Sequence, residues 1–225
     1  IGGNGILGSS IKKVANNLSI KDWGISSKSL GHFDLMNENS WCDLLESNPK
    51  NIIFLSWPGL PNYLEDFHVS DNLTMSKKFL RLLFEKKINK IVIAGTCYEY
   101  GLLEGELSES TKTAPITKYG IAKDSLRNFV ELEANEYKFD WCWLRVFYPY
   151  SKQNKKTLYS SLIEAIKNKD ENFPLGSGKQ VRDFVPLEDI SRQLLEITFN
   201  NKAHGIYNGG SGVPQSIKEF ALSIV

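Results

Sequence analysis

Tyr119 and Lys123 stand four residues apart, the spacing that stacks two side chains on adjacent turns of one helix face. A phenol with its ordinary pKa of about 10 is a poor base at neutral pH. An ammonium ~4 Å away, at an effective dielectric of ~20, is worth about 4 kcal/mol, enough to lower that pKa by about 3 units. The pair could then exchange a proton with a reacting oxygen. A third hydroxyl is offered by Thr96, in the segment Ile93-Ala94-Gly95-Thr96-Cys97-Tyr98-Glu99-Tyr100-Gly101, just past a buried-strand pattern. It could hold the same oxygen and fix its orientation. Spacing alone also fits a tyrosine packed on a sheet, a solvated lysine and a loop threonine without a partner. A second Tyr-x-x-x-Lys, Tyr148 with Lys152, contains Pro149 and follows a strand, so no shared helical face is expected there.

The chain opens with Gly2, Gly5 and Gly8 three apart, at the start of a helical pattern. Glycines let a backbone approach a pyrophosphate closely, and the free N–H groups and helix dipole then face its charge. Gly2, Gly5, Ile6, Leu7 and Gly8 are therefore the expected dinucleotide loop, with a ligand-free strand-to-helix turn as the plainer alternative. About 20 residues on, where an acidic residue would bond the ribose of NAD, the chain reads Ile25-Ser26-Ser27-Lys28-Ser29. Hydroxyls and a cation at Ser26, Ser27 and Lys28 suit a 2′-phosphate, which favours NADP(H) and leaves NAD(H) open; Lys28 also fits an ordinary solvated lysine. Asp34 and Leu35 are expected at an adenine ring, with Asp34 accepting from its amino group. Leu55 and Ser56, at the end of an apolar run, and Tyr119 and Lys123 themselves are further expected cofactor contacts.

These residues need a frame. Ile6 to Leu18 has helical spacing, Asp22 to Ser26 reads as a short strand, and Asn39 to Leu45 as a short helix. Ile52 to Leu55 is a strand buried on both faces, followed by helix Asp71 to Lys87, strand Lys90 to Ala94, helix Ile116 to Glu136 and strand Trp141 to Val146. The alternation predicts an α/β fold with a doubly wound parallel sheet over residues 1–150. Residues 151–225 read mostly as a small α+β substrate lobe: a helix at Thr157 to Asn168, a strand Val181 to Val185, a helix Leu187 to Phe199 that can pack back on the first domain, a segment Ile206 to Asn208, and a helix opening near Ser216. The chain starts at Ile1 and stops at Val225 in a helical pattern, so its first strand and its C-terminal end are expected to be missing.

Composition narrows the classes. The 225 residues carry 27 basic and 26 acidic side chains, a net charge of +1, so no field favours a nucleic acid partner. No apolar run approaches the ~18–20 residues that cross a bilayer, and a cytoplasmic protein is expected. Cys42, Cys97 and Cys142 are widely spaced without a CxxC pair, so neither a disulfide framework nor a metal site is expected. His32, His68 and His204 read as surface or capping residues. Trp141 and Trp143 read as strand packing, with one of them lining the cleft; Glu104, Glu106 and Glu109 read as a solvated loop face near the substrate entrance.

Gly2-Gly-Asn-Gly-Ile-Leu-Gly8, the Thr96 segment ending in Tyr100-Gly101, and Tyr119-Gly-Ile-Ala-Lys123 together resemble the extended short-chain dehydrogenases/reductases, in their sugar-nucleotide epimerase, dehydratase and reductase branch. Leu144-Arg145-Val146-Phe147, Gly178 to Val185 and Ile206-Tyr207-Asn208 followed by Ser216-Ile217 extend the likeness almost end to end. The resemblance implies a Rossmann sheet, a catalytic Thr96, Tyr119 and Lys123, and hydride transfer to or from a nucleotide-sugar substrate. It puts Arg182 at the nucleotide diphosphate, Asn72 beneath the nicotinamide site, and Thr96, Cys97, Tyr98 and Tyr148 at the sugar. It also implies a homodimer through the Asp71–Lys87 and Ile116–Glu136 helices. The dehydratases of the family carry Asp-Glu after the threonine, where this chain has Cys97 and Tyr98, so dehydration is not expected. Cys97 is read as a packed small residue rather than an acid or base. Thr-x-Tyr is similar to the 4-keto-sugar reductases, although Tyr148 replaces their usual Asn. The expected activity is reduction of a keto group of a nucleotide-activated deoxysugar, with Tyr119 as proton donor. Two alternatives stay open: a C4 epimerase with retained NAD, and a dinucleotide-sensing regulator without catalysis.

Overall fold

The computed structural model describes residues 1–18, 33–86, 88–154 and 157–225. Three adjacent strands, β1 (Asn51–Phe54), β2 (Lys90–Thr96) and β3 (Asp140–Val146), run parallel and in register, with Ile91 beside Trp141 and Ile93 beside Trp143. Side chains alternate across them, as strand geometry requires. Ile52, Phe54, Ile91, Ile93, Trp141 and Trp143 point into one core, while Val92, Cys142 and Leu144 point into the other. Apolar residues on both faces are what a sheet covered by helices on each side needs.

On the first face lie α2 (Cys42–Glu46), α3 (Leu73–Glu85) and α4 (Lys118–Tyr137). α3 buries Phe79, Leu80 and Leu83 completely, each worth roughly 1.5–3 kcal/mol. On the second face α1 (Ile6–Asn17) packs beside α6 (Leu187–Phe199), joined by a buried Ser191–Ser10 hydroxyl bond of 2.7 Å. The sheet is therefore covered by helices on both sides.

Beyond β3 the chain adds β4 (Tyr148–Tyr150), α5 (Leu158–Asn168), β5 (Val181–Pro186), β6 (Gly205–Gly209), β7 (Pro214–Ser216) and α7 (Ile217–Ile224). β4 pairs parallel with β5, and β5 antiparallel with β7, in a small mixed sheet. β6 leaves this group and pairs parallel with β3, giving the large sheet the order β1-β2-β3-β6. So 187–209, between the strands of the small sheet, belongs structurally with the larger one.

The expected Asp71–Lys87 helix is two pieces, a π-type turn at His68–Asn72 running into α3. α4 begins at Lys118 rather than Ile116, because Thr117 caps it by accepting the Gly120 amide at 3.0 Å. Tyr148 lies in a strand, so Tyr148 and Lys152 share no helical face. The strand expected at Asp22 to Ser26 falls outside the described residues, as do Ser26, Ser27, Lys28 and His32. Among the described residues no helix is long and apolar enough to cross a membrane.

Candidate functional site

The sheet delivers Thr96 to its carboxyl edge. Gly95 precedes it, and a Cβ there would sit 2.0 Å from Trp143 Nε1, so this position takes only glycine. Thr96 ends β2 and caps the tight turn Cys97–Tyr100, its hydroxyl accepting the Tyr98 amide at 3.3 Å. Glu99 locks that turn. Its Oε1 accepts the Thr96 amide and the Trp143 indole N–H, each at 2.9 Å, and its Oε2 accepts from Arg145 Nε at 2.9 Å. Burial pushes the Glu99 carboxyl above its usual range, against the pull of the Arg145 guanidinium. Arg145 Nη1 goes on to bond Tyr100 Oη and the Glu109 carbonyl, and the Glu109 carboxylate accepts the Asn208 amide at 2.8 Å. Glu109 stays exposed, as expected of the loop face, and this bond ties its carboxylate to the sheet.

α4 presents Tyr119 and Lys123 to the same edge. Both are buried, and the Tyr119 phenol faces the Thr96 hydroxyl closely enough for that hydroxyl to favour its ionised form, against the larger effect of burial. Lys123 Nζ donates to the Ala94 carbonyl at 2.7 Å and lies 4.3 Å from the centroid of the Trp57 ring. The three residues brought together from spacing do meet. Their electrostatics differ from the expectation, however. Burial pushes the Tyr119 phenol up, not down, and pushes Lys123 down to about 7. In the protein alone desolvation outweighs any acidifying effect of the ammonium, because both groups sit in a dry, aromatic setting.

Aromatic rings build that setting. Tyr63 stacks on Tyr98 with centroids 4.8 Å apart, and both approach the Tyr119 ring, at 5.6 and 6.1 Å. The tryptophan at the cleft is Trp57, and the expectation of Trp141 or Trp143 is corrected: both of those are core residues. His68 is likewise no surface residue. It is fully buried, stacked on Trp57, with both ring nitrogens hydrogen-bonded. A lone histidine carries no spacing signal, and no sequence pattern marked either side chain.

A cleft of ≈ 500 Å³ runs from the glycine loop past Leu55, Thr96, Tyr119 and Lys123 to Tyr148 and Phe184. Gly2, Gly5, Ile6, Leu7 and Gly8 line its first end. Gly2 has φ +81°, and a Cβ on it would lie 2.9 Å from the Ser56 amide nitrogen. A Cβ on Gly8 would lie 2.5 Å from both the Gly2 carbonyl oxygen and Gly3 Cα. The loop is thus closed on itself and on the end of β1, with no side-chain cap on α1, whose first N–H groups stay available to an anion. A pyrophosphate fits this cradle.

The remaining expected residues divide. Tyr98 and Tyr148 line the cleft; Cys97 does not, and burial pushes its thiol up to about 12, so it supplies no thiolate near neutral pH. Arg182 stacks on Tyr148, 5.2 Å from the ring centroid, and bonds the Val181 carbonyl. Asn72, just ahead of α3, is buried and donates to the Pro58 carbonyl at 2.9 Å. Ser56 packs its backbone on Gly2. The Leu35 side chain is only 1% exposed, in the core cluster with Trp41 and Phe79, which leaves its backbone for the expected ligand contact. Asp34 is exposed but holds a turn, its Oδ1 accepting the Met36 amide at 2.9 Å. Among the described residues no group of three or more His, Cys, Asp or Glu gathers around a common point.

A doubly covered parallel sheet, a glycine cradle opening α1, and Thr96, Tyr119 and Lys123 at the carboxyl edge of β2 define an extended short-chain dehydrogenase/reductase. More narrowly, the chain belongs to the NAD dependent epimerase/dehydratase family, whose sequence profile matches residues 1–210. It is an enzyme family of sugar nucleotides, and the relatives show its range. The dTDP-6-deoxy-L-talose 4-dehydrogenase (NAD(+)) of Aggregatibacter actinomycetemcomitans is 29% identical over 190 residues, covering 84% of this chain and 69% of that one. The structure of RMD from Pseudomonas aeruginosa complexed with NADPH is similar with a TM-score of 0.84 at 19% identity, over 98% of this chain and 80% of that one. A UDP-glucose 4-epimerase from Thermotoga maritima, solved with UDP-glucose, is similar with a TM-score of 0.81 at 17% identity, over 99% and 79%.

Proposed function

We propose that this protein reduces a keto group of a nucleotide-activated deoxysugar, with NADP(H) as the favoured coenzyme. The observation that carries the reading is the buried Thr96–Tyr119 hydroxyl pair beside Lys123, opening on the same cleft as the glycine cradle. When bound, a nicotinamide dinucleotide supplies the hydride. The chain's own residues do the rest. Thr96 and Tyr119 bond the substrate oxygen and fix its orientation, and Tyr119, which burial keeps protonated, gives that oxygen its proton. Lys123 stands ready to offset the charge left on the phenolate. The aromatic walls, Tyr63, Tyr98 and Trp57, exclude water from the transfer.

Three observations favour reduction over the neighbouring reactions of the family. Cys97 and Tyr98 replace the acidic pair that dehydration needs, and neither titrates near neutrality. A 4-dehydrogenase of a dTDP-6-deoxyhexose, such as the Aggregatibacter relative, interconverts a hydroxyl and a ketone at C4, which is the same bond change. Ser26, Ser27 and Lys28 suit a 2′-phosphate, and NADPH is the ligand of the Pseudomonas structure.

The test mixes the purified protein with a nucleoside-diphospho-4-keto-6-deoxysugar and NADPH or NADH, and follows nicotinamide absorbance. Stoichiometric oxidation, faster with NADPH, is the expected result. Tyr119→Phe is expected to lower kcat by about 10²–10⁴-fold with KM little changed. Interconversion of C4 epimers without net oxidation would instead reveal an epimerase, and full activity in Tyr119→Phe would end the proton-donor role.

A further inference from the structure

Half-buried Trp57 and the buried His68 and Asn72 form a hydrogen-bonded group that the proton transfer described above leaves without a role. Trp57 Nε1 donates to His68 Nδ1 at 3.0 Å, and Asn72 Nδ2 lies 3.3 Å from the same nitrogen. With Nδ1 accepting, the ring proton sits on Nε2, which donates to the Asn62 carbonyl at 2.9 Å. Asn72 also bonds the Pro58 carbonyl. The segment 57–62 is therefore fastened at Trp57, Pro58 and Asn62 to the turn that opens α3. What the fastening fixes is the indole plane, stacked on His68 at 6.2 Å between centroids and set edgewise to Tyr119 at 6.0 Å.

That plane faces Lys123 Nζ at 4.3 Å from its centroid, with Trp143 on another side at 5.7 Å. Lys123 is otherwise poorly served. Among the described residues its one hydrogen bond goes to the Ala94 carbonyl, and the nearby buried carboxylate, Glu99, is held by Arg145. The ionisable groups around the ammonium are Tyr119 on its own helix, Glu99 in the turn after β2, and neutral His68 behind Trp57; His68 itself faces Glu65 and Lys123. A cation with so little compensation would shed its proton on burial. The face of an indole attracts a cation, most strongly where water is excluded.

We propose that Trp57, oriented by His68, is a positioning residue that favours the charged form of Lys123 and holds its Nζ in place beside Tyr119. The inference rests on the reading of Tyr119 and Lys123 as the proton-transfer pair. It assigns His68 a purpose its sequence position did not suggest: a neutral acceptor that aims one ring at a catalytic cation. An aliphatic side chain could fill the same volume but has no charge distribution to offer.

The experiment titrates Lys123 directly, without substrate or turnover. The full chain is prepared with ¹³C-labelled lysine, the Lys123 signal is assigned with Lys123→Met, and its carbon shift is followed against pH. Wild type is expected to titrate near the value of about 7 to which burial brings Lys123. In Trp57→Leu the ionisation constant should rise about fivefold or more, moving the midpoint to lower pH. Trp57→Phe, which keeps a π face, should restore part of the shift. His68→Gln, whose amide oxygen can still accept the indole N–H, should stay near wild type. An unchanged midpoint in folded Trp57→Leu overturns the proposal, as do equal shifts in Trp57→Leu and Trp57→Phe, which would assign the effect to packing. Should Trp57→Leu fail to fold, His68→Leu decides: a rise of about twofold or more supports the proposal and an unmoved midpoint overturns it. Loss of the proton-donor reading would be seen separately, as turnover retained in Tyr119→Phe.

Discussion

Glu99 binds three donors from inside the protein while remaining inaccessible to solvent, and one of them is the amide of Thr96. Its partner Arg145 is 1% exposed, so neutralising Glu99 would leave a buried guanidinium without its counter-charge. Glu99→Gln is expected to destabilise the fold by about 3–5 kcal/mol, measured by urea unfolding. A loss below about 1 kcal/mol would mean that water or Tyr100 already satisfies Arg145. Thr96, Tyr119 and Lys123 were legible in the sequence because a four-residue helical spacing and a strand end fix where their side chains go. Glu99, Trp57 and His68 were not. Their roles rest on contacts 46, 11 and 6 residues apart in the chain, and no local period encodes such meetings.

The opening loop works as an element rather than as a set of side chains. Gly2, Gly5 and Gly8 allow α1 to begin against the end of β1, with its first amides facing the cleft. Gly8→Ala would place a methyl group 2.5 Å from the Gly2 oxygen and from Gly3 Cα, both backbone atoms that cannot turn aside. The cost of such overpacking, about 1–3 kcal/mol, should fall on the cradle. NADPH is expected to bind roughly tenfold or more weakly, as read by calorimetric titration, while α1 keeps its helical content. Affinity unchanged in the variant would show that the dinucleotide lies elsewhere. The helices and strands themselves followed from hydrophobic period, but their ends did not: caps such as Thr117 and the π-type turn before α3 depend on single hydrogen bonds.

Across the whole molecule, burial of Lys123 makes stability depend on pH. Its pKa falls from 10.5 to about 7 on folding, so between these values the unfolded chain holds a proton that the folded chain has lost. Stability then rises with pH by up to ~1.4 kcal/mol per unit, and this contribution disappears as pH falls through about 7. Above about pH 9 the opposite sign enters, because Cys97 and Tyr119, both pushed up by burial, ionise first in the unfolded chain. Urea unfolding between about pH 7 and 9 should show the rise, and Lys123→Met should flatten it. An equal slope in the variant would mean that Lys123 keeps its charge on folding. By itself the sequence determined the parallel, doubly covered sheet, the glycine cradle and the hydroxyl–ammonium trio, since apolar period and close spacing act over a few residues. Only the tertiary structure decided that β6 joins the large sheet, that Leu35 serves the core, and that Trp57 and His68 close around Lys123. Each of these is settled by which surfaces lose water against one another, and that depends on the packing of segments far apart in the chain.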